Sequence, residues 1–154
     1  MAGCKRAVVG PCYNEDEGVH EVHRRVTEIC QACVGDSYEL VLVNDGSKDA
    51  TWNVMKDLSH ADNRVVAINL SRNHGHQLAL SAGLTMCRGE RIFVLDADLQ
   101  DPPELLPRMM ARMDDGCDVV YGQRIRRDGE TFFKKASAYA FYRLLNHMVD
   151  IDIP

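Results

Sequence analysis

Two aspartates at the end of an apolar run are the residues of this chain best suited to chemistry. Asp96 and Asp98 follow residues 91–95, which predict a buried strand. Alternate residues of an extended segment point to the same side, so the two carboxylates can converge on one cation. Oxygen ligands of this kind suit Mg²⁺ or Mn²⁺, which in turn bind diphosphates. The spacing predicts a Mg²⁺ or Mn²⁺ site for a nucleotide-linked substrate at a strand end, where open α/β sheets bind ligands.

The residues just after this acidic pair have a structural explanation. Asp101 is a good N-cap, Pro102 suits the first helical position, and Glu104 completes a capping box. The acidic pair and Gln100 have no such explanation. Carboxylates that end an apolar strand are costly unless a cation or another partner is present. We therefore assign the later residues to structure and the earlier ones to a ligand.

The first predicted strand ends in Gly10-Pro11-Cys12-Tyr13-Asn14-Glu15, a second candidate ligand loop. It lacks the Gly-x-Gly-x-x-Gly pattern of a dinucleotide site, so phosphate charge must be met elsewhere. The segment is equally well explained as a turn in which Asn14 or Asp16 caps the next helix. Both interpretations stay open at this point.

The second predicted strand ends in Asn44-Asp45-Gly46-Ser47. A carboxylate at this topological position can accept hydrogen bonds from a ribose or from a base N–H group, which makes Asp45 a ligand candidate. Gly46 supplies the positive φ of a turn, and Ser47 or Asp49 is expected to cap the next helix.

The third predicted strand ends in Ser71-Arg72-Asn73-His74-Gly75-His76. Arg72 could contact a nucleotide edge or a phosphate, and Gly75 permits a close approach of the backbone. His74 and His76 have no third metal ligand at a sensible spacing. For both histidines we expect loop or helix-cap roles.

The elements that must position these loops alternate between strand and helix, which predicts an α/β fold with a parallel sheet and helices on both faces. The length of 154 residues fits one domain, residues 1–154. The final residues begin another apolar segment, so we expect the N-terminal part of a longer protein. Predicted strands are 7–10, 39–43, 65–70, 91–95 and 118–121, and predicted helices are 16–33, 49–58, 76–87, 102–113 and 132–149.

Composition excludes several classes of protein. The net charge of −5 argues against a general nucleic-acid binder. No apolar run approaches the roughly 18 residues of a membrane span, and no signal-peptide core is visible. The six cysteines, including Cys30-x-x-Cys33, lack a secretory context and a second pair at zinc spacing. We expect structural thiols in a reducing cytosol.

Basic and aromatic residues are interleaved over residues 122–143. The mixture suits a helix at a membrane surface or a groove for an anionic substrate. It equally suits an ordinary amphipathic helix that packs on the sheet.

Four motifs in order resemble family 2 glycosyltransferases: residues 11–15 (PCYNE), 44–47 (NDGS), 71–77 (SRNHGHQ) and 96–104 (DADLQDPPE). The likeness is strongest to polyprenyl-phosphate sugar transferases, such as dolichol-phosphate mannose synthase and the bactoprenol glucosyltransferases. Gly75-His76-Gln77 is similar to bacterial members, which tend to use UDP-sugars. The resemblance implies a GT-A-type fold and an inverting transfer of a sugar from a UDP-sugar to a polyprenyl phosphate. It also implies a longer protein at the cytoplasmic face of the membrane.

The resemblance also implies roles for single residues. Asp96 and Asp98 match the Asp-x-Asp pair, with Gln100 as a further metal ligand. Gly122-Gln123-Arg124 resembles the family's Gly-x-Arg, whose arginine contacts phosphate, so Asp98 and Arg124 are the residues expected to carry catalysis. Arg72 would lie near the base. The residues expected to line the nucleoside are Pro11, Tyr13, Glu15 and Asp45.

Two alternatives to this function are kept. A family 2 transferase that acts on a sugar hydroxyl, for a cell-surface polysaccharide, would need a catalytic base at the acceptor. A non-catalytic module would bind a nucleotide-sugar without turnover. The sequence does not decide between a monomer and a homo-oligomer.

Overall fold

The fold is a parallel sheet with helices on both faces, seen in a computed structural model that describes residues 6–122. The α/β prediction is confirmed. The four strands are β1 (Arg6–Cys12), β2 (Tyr38–Asn44), β3 (Val65–Asn69) and β4 (Arg91–Val94). The helices are α1 (Gly18–Val34), α2 (Thr51–Ala61), α3 (His76–Met86) and α4 (Leu106–Asp114), and a 3₁₀ turn (Pro103–Leu105) precedes α4.

The strands lie in the order β3-β2-β1-β4, and every neighbouring pair is parallel. β1 is central: it pairs with β2 from Arg6↔Tyr38 to Cys12↔Asn44, and with β4 from Arg6↔Arg91 to Val9↔Val94. Because the strands are parallel, their carboxyl ends meet at one edge of the sheet. The loops that carry the four motifs therefore emerge at that edge.

Apolar side chains cover the sheet on both faces. On one face, Val8 and Leu40 pack with residues of α1, α2 and α4. On the other face, Val9 and Val41 pack with Ala79 of α3. Two-sided burial explains why β1 and β2 are nearly continuous in apolar residues instead of alternating with polar ones.

The predicted fifth strand and the predicted capping box after the acidic pair are both wrong. Residues 118–121 form no strand within the described part of the chain, and Val119 is 79% exposed. An apolar run becomes a strand only when a neighbouring strand supplies hydrogen-bonding partners, and its sequence does not specify that neighbour. The capping box is absent as well, because Glu104 instead binds the guanidinium of Arg25 on α1.

Other expectations fall beyond the part of the chain that is described. The predicted helix 132–149 and Arg124 both lie outside residues 6–122. The described residues up to Val120 form one compact unit, and a single domain over residues 1–154 stays a prediction. Within residues 6–122, no helix has both the length and the apolar character needed to cross a membrane.

Candidate functional site

A cleft of about 250 Å³ opens at the edge of the sheet where the strands end. Four segments line it: the end of β1 with the first loop (residues 13–17), the second loop (45–50), the third loop (70–75) with the start of α3, and the acidic loop (95–102). The lining residues are Pro11, Cys12, Tyr13, Glu15, Asp45, Asn73, Gly75, His76, Asp96, Ala97 and Asp98.

The first and second loops are joined by reciprocal hydrogen bonds. The backbone N–H of Asn14 donates to Ser47 Oγ (3.0 Å), and the backbone N–H of Lys48 donates to Asn14 Oδ1 (2.9 Å). Neither Asn14 nor Asp16 caps α1, whose N-cap residue is Glu17 and has no side-chain cap bond. The prediction is wrong for Asn14, because the second loop offers it partners that are distant in sequence. It is wrong for Asp16, because Asp16 Oδ1 accepts the backbone N–H of the adjacent Glu17 (3.0 Å) and none from within α1.

Asp49 fixes the start of α2, and the same helix supports the cleft. Asp49 Oδ1 accepts bonds from the backbone N–H and from the hydroxyl of Thr51 (3.0 and 2.6 Å). Thr51 Oγ1 in turn accepts the backbone N–H of Glu15 (2.9 Å). The Glu15 backbone is thereby held to the first residue of α2.

Asp45 is buried, with 3% of its surface exposed, and its carboxylate anchors the third loop. Oδ1 accepts the backbone N–H of His74 (2.7 Å), and Oδ2 accepts the backbone N–H of Gly75 (2.9 Å). The next residue, Gly46, has a φ of +66°, and a Cβ there would lie 2.4 Å from the carbonyl carbon of Arg72. Asp45 thus has a structural role that its position in the sequence did not reveal.

Of the basic residues near the third loop, His76 lines the cleft and Arg72 does not. His76 begins α3 and lines the cleft, with Nε2 3.7 Å from Asp96 Oδ1. Arg72 is exposed and is not among the lining residues. Its expected place beside a base stays a prediction.

Asp96 and Asp98 both line the cleft, but they lie in a turn instead of the extended segment that the sequence predicts. The last backbone hydrogen bond between β1 and the chain that follows β4 runs from the Leu95 N–H to the Val9 carbonyl (3.0 Å). Beyond it the chain reverses through Leu99, which has a φ of +56°. Asp98 Oδ1 accepts the backbone N–H of Gln100 (3.0 Å), and Gln100 is exposed outside the lining.

The cleft is strongly acidic. Four of its lining side chains are carboxylates, and His76 is the one lining residue that can carry a positive charge within residues 6–122. Burial, together with the charges of Asp98 and Asp49, raises the pKa of Glu15. An anionic ligand enters such a cleft only if a cation comes with it or basic groups reach in from elsewhere.

The donor set suits a divalent ion that is shared with a ligand. In residues 6–122, no three His, Cys, Asp or Glu side chains are grouped closely enough to hold a metal by themselves. Asp96 and Asp98 offer carboxylate oxygens, and Mg²⁺ is commonly held by one or two carboxylates plus substrate phosphates and water. These residues therefore fit a metal that arrives with a diphosphate.

The thiol in the cleft is not suited to nucleophilic chemistry. Burial and the charge of Glu15 raise the pKa of Cys12 to about 12, and burial raises the pKa of Cys30 to about 12. Thiols are nucleophilic as thiolates, so both cysteines fit the structural role that was predicted for them.

Comparison with known proteins decides the family. Residues 7–154 match the sequence profile of Glycosyl transferase family 2. The chain belongs to glycosyl transferase family 2. The polyprenyl-phosphate subtype is a finer assignment than this match provides.

Two curated relatives bear only general names. The chain is 49% identical over 148 residues to the uncharacterized glycosyltransferase YkcC of Bacillus subtilis, a match that covers 96% of this chain and 46% of the relative. It is 38% identical over 148 residues to an uncharacterized glycosyltransferase of Synechocystis, a match that again covers 96% of this chain and 46% of the relative. The chain thus spans about half the length of these relatives.

Solved structures show the same fold. TarS of S. aureus, residues 1–349 in complex with UDP, superposes with a TM-score of 0.61 at 22% identity, over 80% of this chain and 38% of that one. The mannosyltransferase PcManGT of Pyrobaculum calidifontis, in complex with GDP-Man and Mn²⁺, gives a TM-score of 0.56 at 23% identity, over 64% of this chain and 33% of that one. The GT-A-type architecture predicted for this family 2 chain is confirmed.

The cleft unites most of the candidate residues of this family 2 domain. Pro11, Tyr13, Glu15 and Asp45 share it with the acidic pair, whereas Arg72 and Gln100 lie outside the lining. Four lining residues were not predicted as ligand contacts: Cys12, Asn73, His76 and Ala97. Each adjoins a residue that the motifs singled out, so its place in a strand-end motif was the signal that could have found it.

Proposed function

We propose that this chain is the donor-binding part of a metal-dependent, inverting glycosyltransferase that moves a sugar from a UDP-sugar to a polyprenyl phosphate. The observation that carries the proposal is the single cleft in which the four motif segments meet, with Asp96 and Asp98 on its wall. Open α/β sheets bind nucleotides at this position, outside the carboxyl ends of their strands.

The nucleoside is assigned to the end of β1 with the first two loops. Pro11, Tyr13 and Glu15 line one part of the cleft, and Asp45 lies at the end of the neighbouring strand. Tyr13 is 43% exposed, so its ring is open to a planar base or a ribose. A carboxylate has about four lone-pair sites, so Asp45 can accept a ligand N–H or O–H in addition to its two backbone bonds.

The diphosphate is assigned to the acidic loop. Asp96 and Asp98 would hold Mg²⁺ or Mn²⁺, and Gln100 is retained as a third ligand candidate. The ion would offset the negative charge that develops on the departing diphosphate. A fold neighbour binds GDP-Man with Mn²⁺ and another binds UDP-GlcNAc, which supports a nucleotide-sugar donor and a divalent ion.

The transfer needs positioning more than a strong base. A polyprenyl phosphate is already anionic at neutral pH, so its oxygen can attack without losing a proton first. The new bond joins that oxygen to the anomeric carbon, the bond to the diphosphate breaks, and UDP leaves with the electron pair. Holding the two reactants in line supplies much of the rate enhancement. Arg124, outside the described residues, is the candidate contact for a phosphate.

Calorimetry with the 154-residue chain tests the donor half of the proposal. UDP should bind in the presence of Mn²⁺ and more weakly without it. Asp98→Asn removes the charge but keeps an oxygen for the Gln100 N–H, so it should weaken Mn²⁺-dependent UDP binding at least tenfold without changing the melting temperature. Asp57→Asn, at an exposed position on α2, is the matched control. Unchanged Mn²⁺-dependent UDP binding in the Asp98→Asn chain would contradict the assignment of Asp98 as a metal ligand.

The acceptor is tested with the full-length protein. Transfer to a short polyprenyl phosphate, with inversion at the anomeric carbon, is the expected result. Transfer to a sugar hydroxyl instead would identify a polysaccharide-type enzyme. Metal-dependent UDP binding without any turnover would identify a nucleotide-sugar-binding module.

A further inference from the structure

Helix α1 contacts the acidic loop at its first residue. A Cβ at Gly18 would lie 3.3 Å from the carbonyl oxygen of Ala97 and 3.5 Å from Glu15 Oε2. The start of α1 therefore lies close against the backbone of the acidic loop. Ala97 separates Asp96 from Asp98 in sequence, so this contact lies within the acidic pair.

The same helix makes a second contact just beyond the acidic loop. Arg25 Nε donates to Glu104 Oε1 (2.9 Å), and Arg25 Nη2 donates to Glu104 Oε2 (2.6 Å). This two-bond geometry is the strongest arrangement for an arginine–carboxylate pair. The Arg25 side chain is 23% exposed and the Glu104 side chain 54%, so water screens this pair in part, and the geometry of the two bonds is what favours it.

The two contacts lie on one side of α1. Gly18 and Arg25 are seven residues apart, which is close to two turns of an α-helix. Glu104 belongs to the 3₁₀ turn that follows the acidic loop, and the adjacent Pro103 is buried. A rigid helix thus sets the distance between two points of the segment that contains Asp98.

We infer that Arg25 and Glu104 are positioning residues that hold the acidic loop in its place on the cleft wall. The Leu95–Val9 sheet bond fixes the start of this loop, and the Gly18–Ala97 contact supports its middle. The ion pair fixes the segment after it. The consequence for nucleotide binding rests on the proposed function, whereas the position of the loop does not.

Reciprocal charge reversal tests the inference. Arg25→Glu and Glu104→Arg each remove the pair, and the double variant restores opposite charges. In each single variant, amide hydrogen exchange at Leu99 and Gln100, measured by NMR, should become about fivefold faster, as expected when an ion pair of this kind is lost. In the double variant the exchange rates should return to within about twofold of the original.

Arg24→Glu is the matched control. Arg24 is the neighbouring residue on α1, and its partners Glu21 and Glu28 belong to the same helix. Its reversal should leave the exchange of the acidic loop unchanged. Three results would overturn the inference: single variants that exchange like the Arg24→Glu control, a double variant that is not restored, or an equal acceleration in the amides of β1 and β2.

Mn²⁺-dependent UDP affinity is the second readout. It should fall about fivefold in each single variant and recover in the double variant. If the original chain does not bind UDP with Mn²⁺, the proposed function fails, and hydrogen exchange still decides whether the pair holds the loop. If the UDP affinity stays constant while hydrogen exchange at the loop amides becomes faster, the Arg25–Glu104 pair does not influence nucleotide binding, and this part of the inference is overturned.

Discussion

Asp45→Ala should destabilise the fold as well as weaken nucleotide binding. The substitution removes a buried carboxylate that accepts the backbone N–H groups of His74 and Gly75 at 2.7 and 2.9 Å. Hydrogen bonds to a charged group contribute about 1.5–3 kcal/mol each. Because His74 is exposed, water can reach part of the freed backbone, and we expect a loss of about 2–3 kcal/mol in total.

Urea unfolding at pH 7 measures this loss directly. A decrease of 2–3 kcal/mol corresponds to a melting temperature lower by roughly 10 °C in a domain of this size. Asp45→Asn keeps one oxygen but turns an amide group toward the second backbone N–H, so it should lose about half as much or slightly more. Asp57→Ala, at an exposed position on α2, controls for the loss of one negative charge.

Stability and UDP affinity should fall together, and a change in only one of them would contradict this prediction. An Asp45→Ala chain that unfolds within about 0.5 kcal/mol of the original, with UDP affinity lost, would assign the carboxylate to the ligand alone. A destabilised chain that retains UDP affinity would assign it to the third loop alone.

Three further substitutions follow from the contacts of buried or constrained groups, all measured by denaturant unfolding. Gly46→Ala should cost about 2–3 kcal/mol, because φ is +66° and its Cβ would lie 2.4 Å from the third-loop backbone; an unchanged midpoint would contradict that approach. Glu39→Gln should cost about 2 kcal/mol, because the buried carboxylate accepts the Gly89 N–H; full stability would show that a neutral acceptor suffices. The bonds from Arg64 hold the pKa of Asp62 well below its ordinary value, so this carboxylate stabilises the fold above about pH 4 and loses that contribution in more acidic solution. Asp62→Asn should therefore be less stable than the original chain at pH 7, and the difference should narrow below pH 4; a gap that is constant with pH would refute the linkage.

Strands and helices could be predicted from sequence because burial leaves a pattern in it. Val8, Val9, Leu40 and Val41 are buried on alternating faces, and a parallel sheet covered on both sides requires such continuous apolar runs. It was also predictable that the four motifs would lie at one edge of the sheet, because the carboxyl ends of parallel strands meet there.

The contacts between loops could not be predicted, since they join residues that are far apart in the chain. Asn14 and Glu104 both fit local capping patterns, yet each binds a partner more than 30 positions away. A capping pattern includes only the residues within one helical turn and carries no information about a better partner elsewhere in the chain. The turn that carries Asp98 was missed for a related reason, because a positive φ at Leu99 is unusual for that residue type.

The strand order has a consequence for how this sheet assembles during synthesis. β1 can pair with β2 once the chain has emerged from the ribosome through residue 44, and β3 can follow by residue 69. The other edge of β1 must wait for β4, which begins 85 residues after it at Arg91. Pairing at such separation is slow to form, and an open edge of apolar residues can pair with the wrong chain. β1, an interior strand of the sheet over residues 6–122, is thus an exposed edge until β4 has been synthesised.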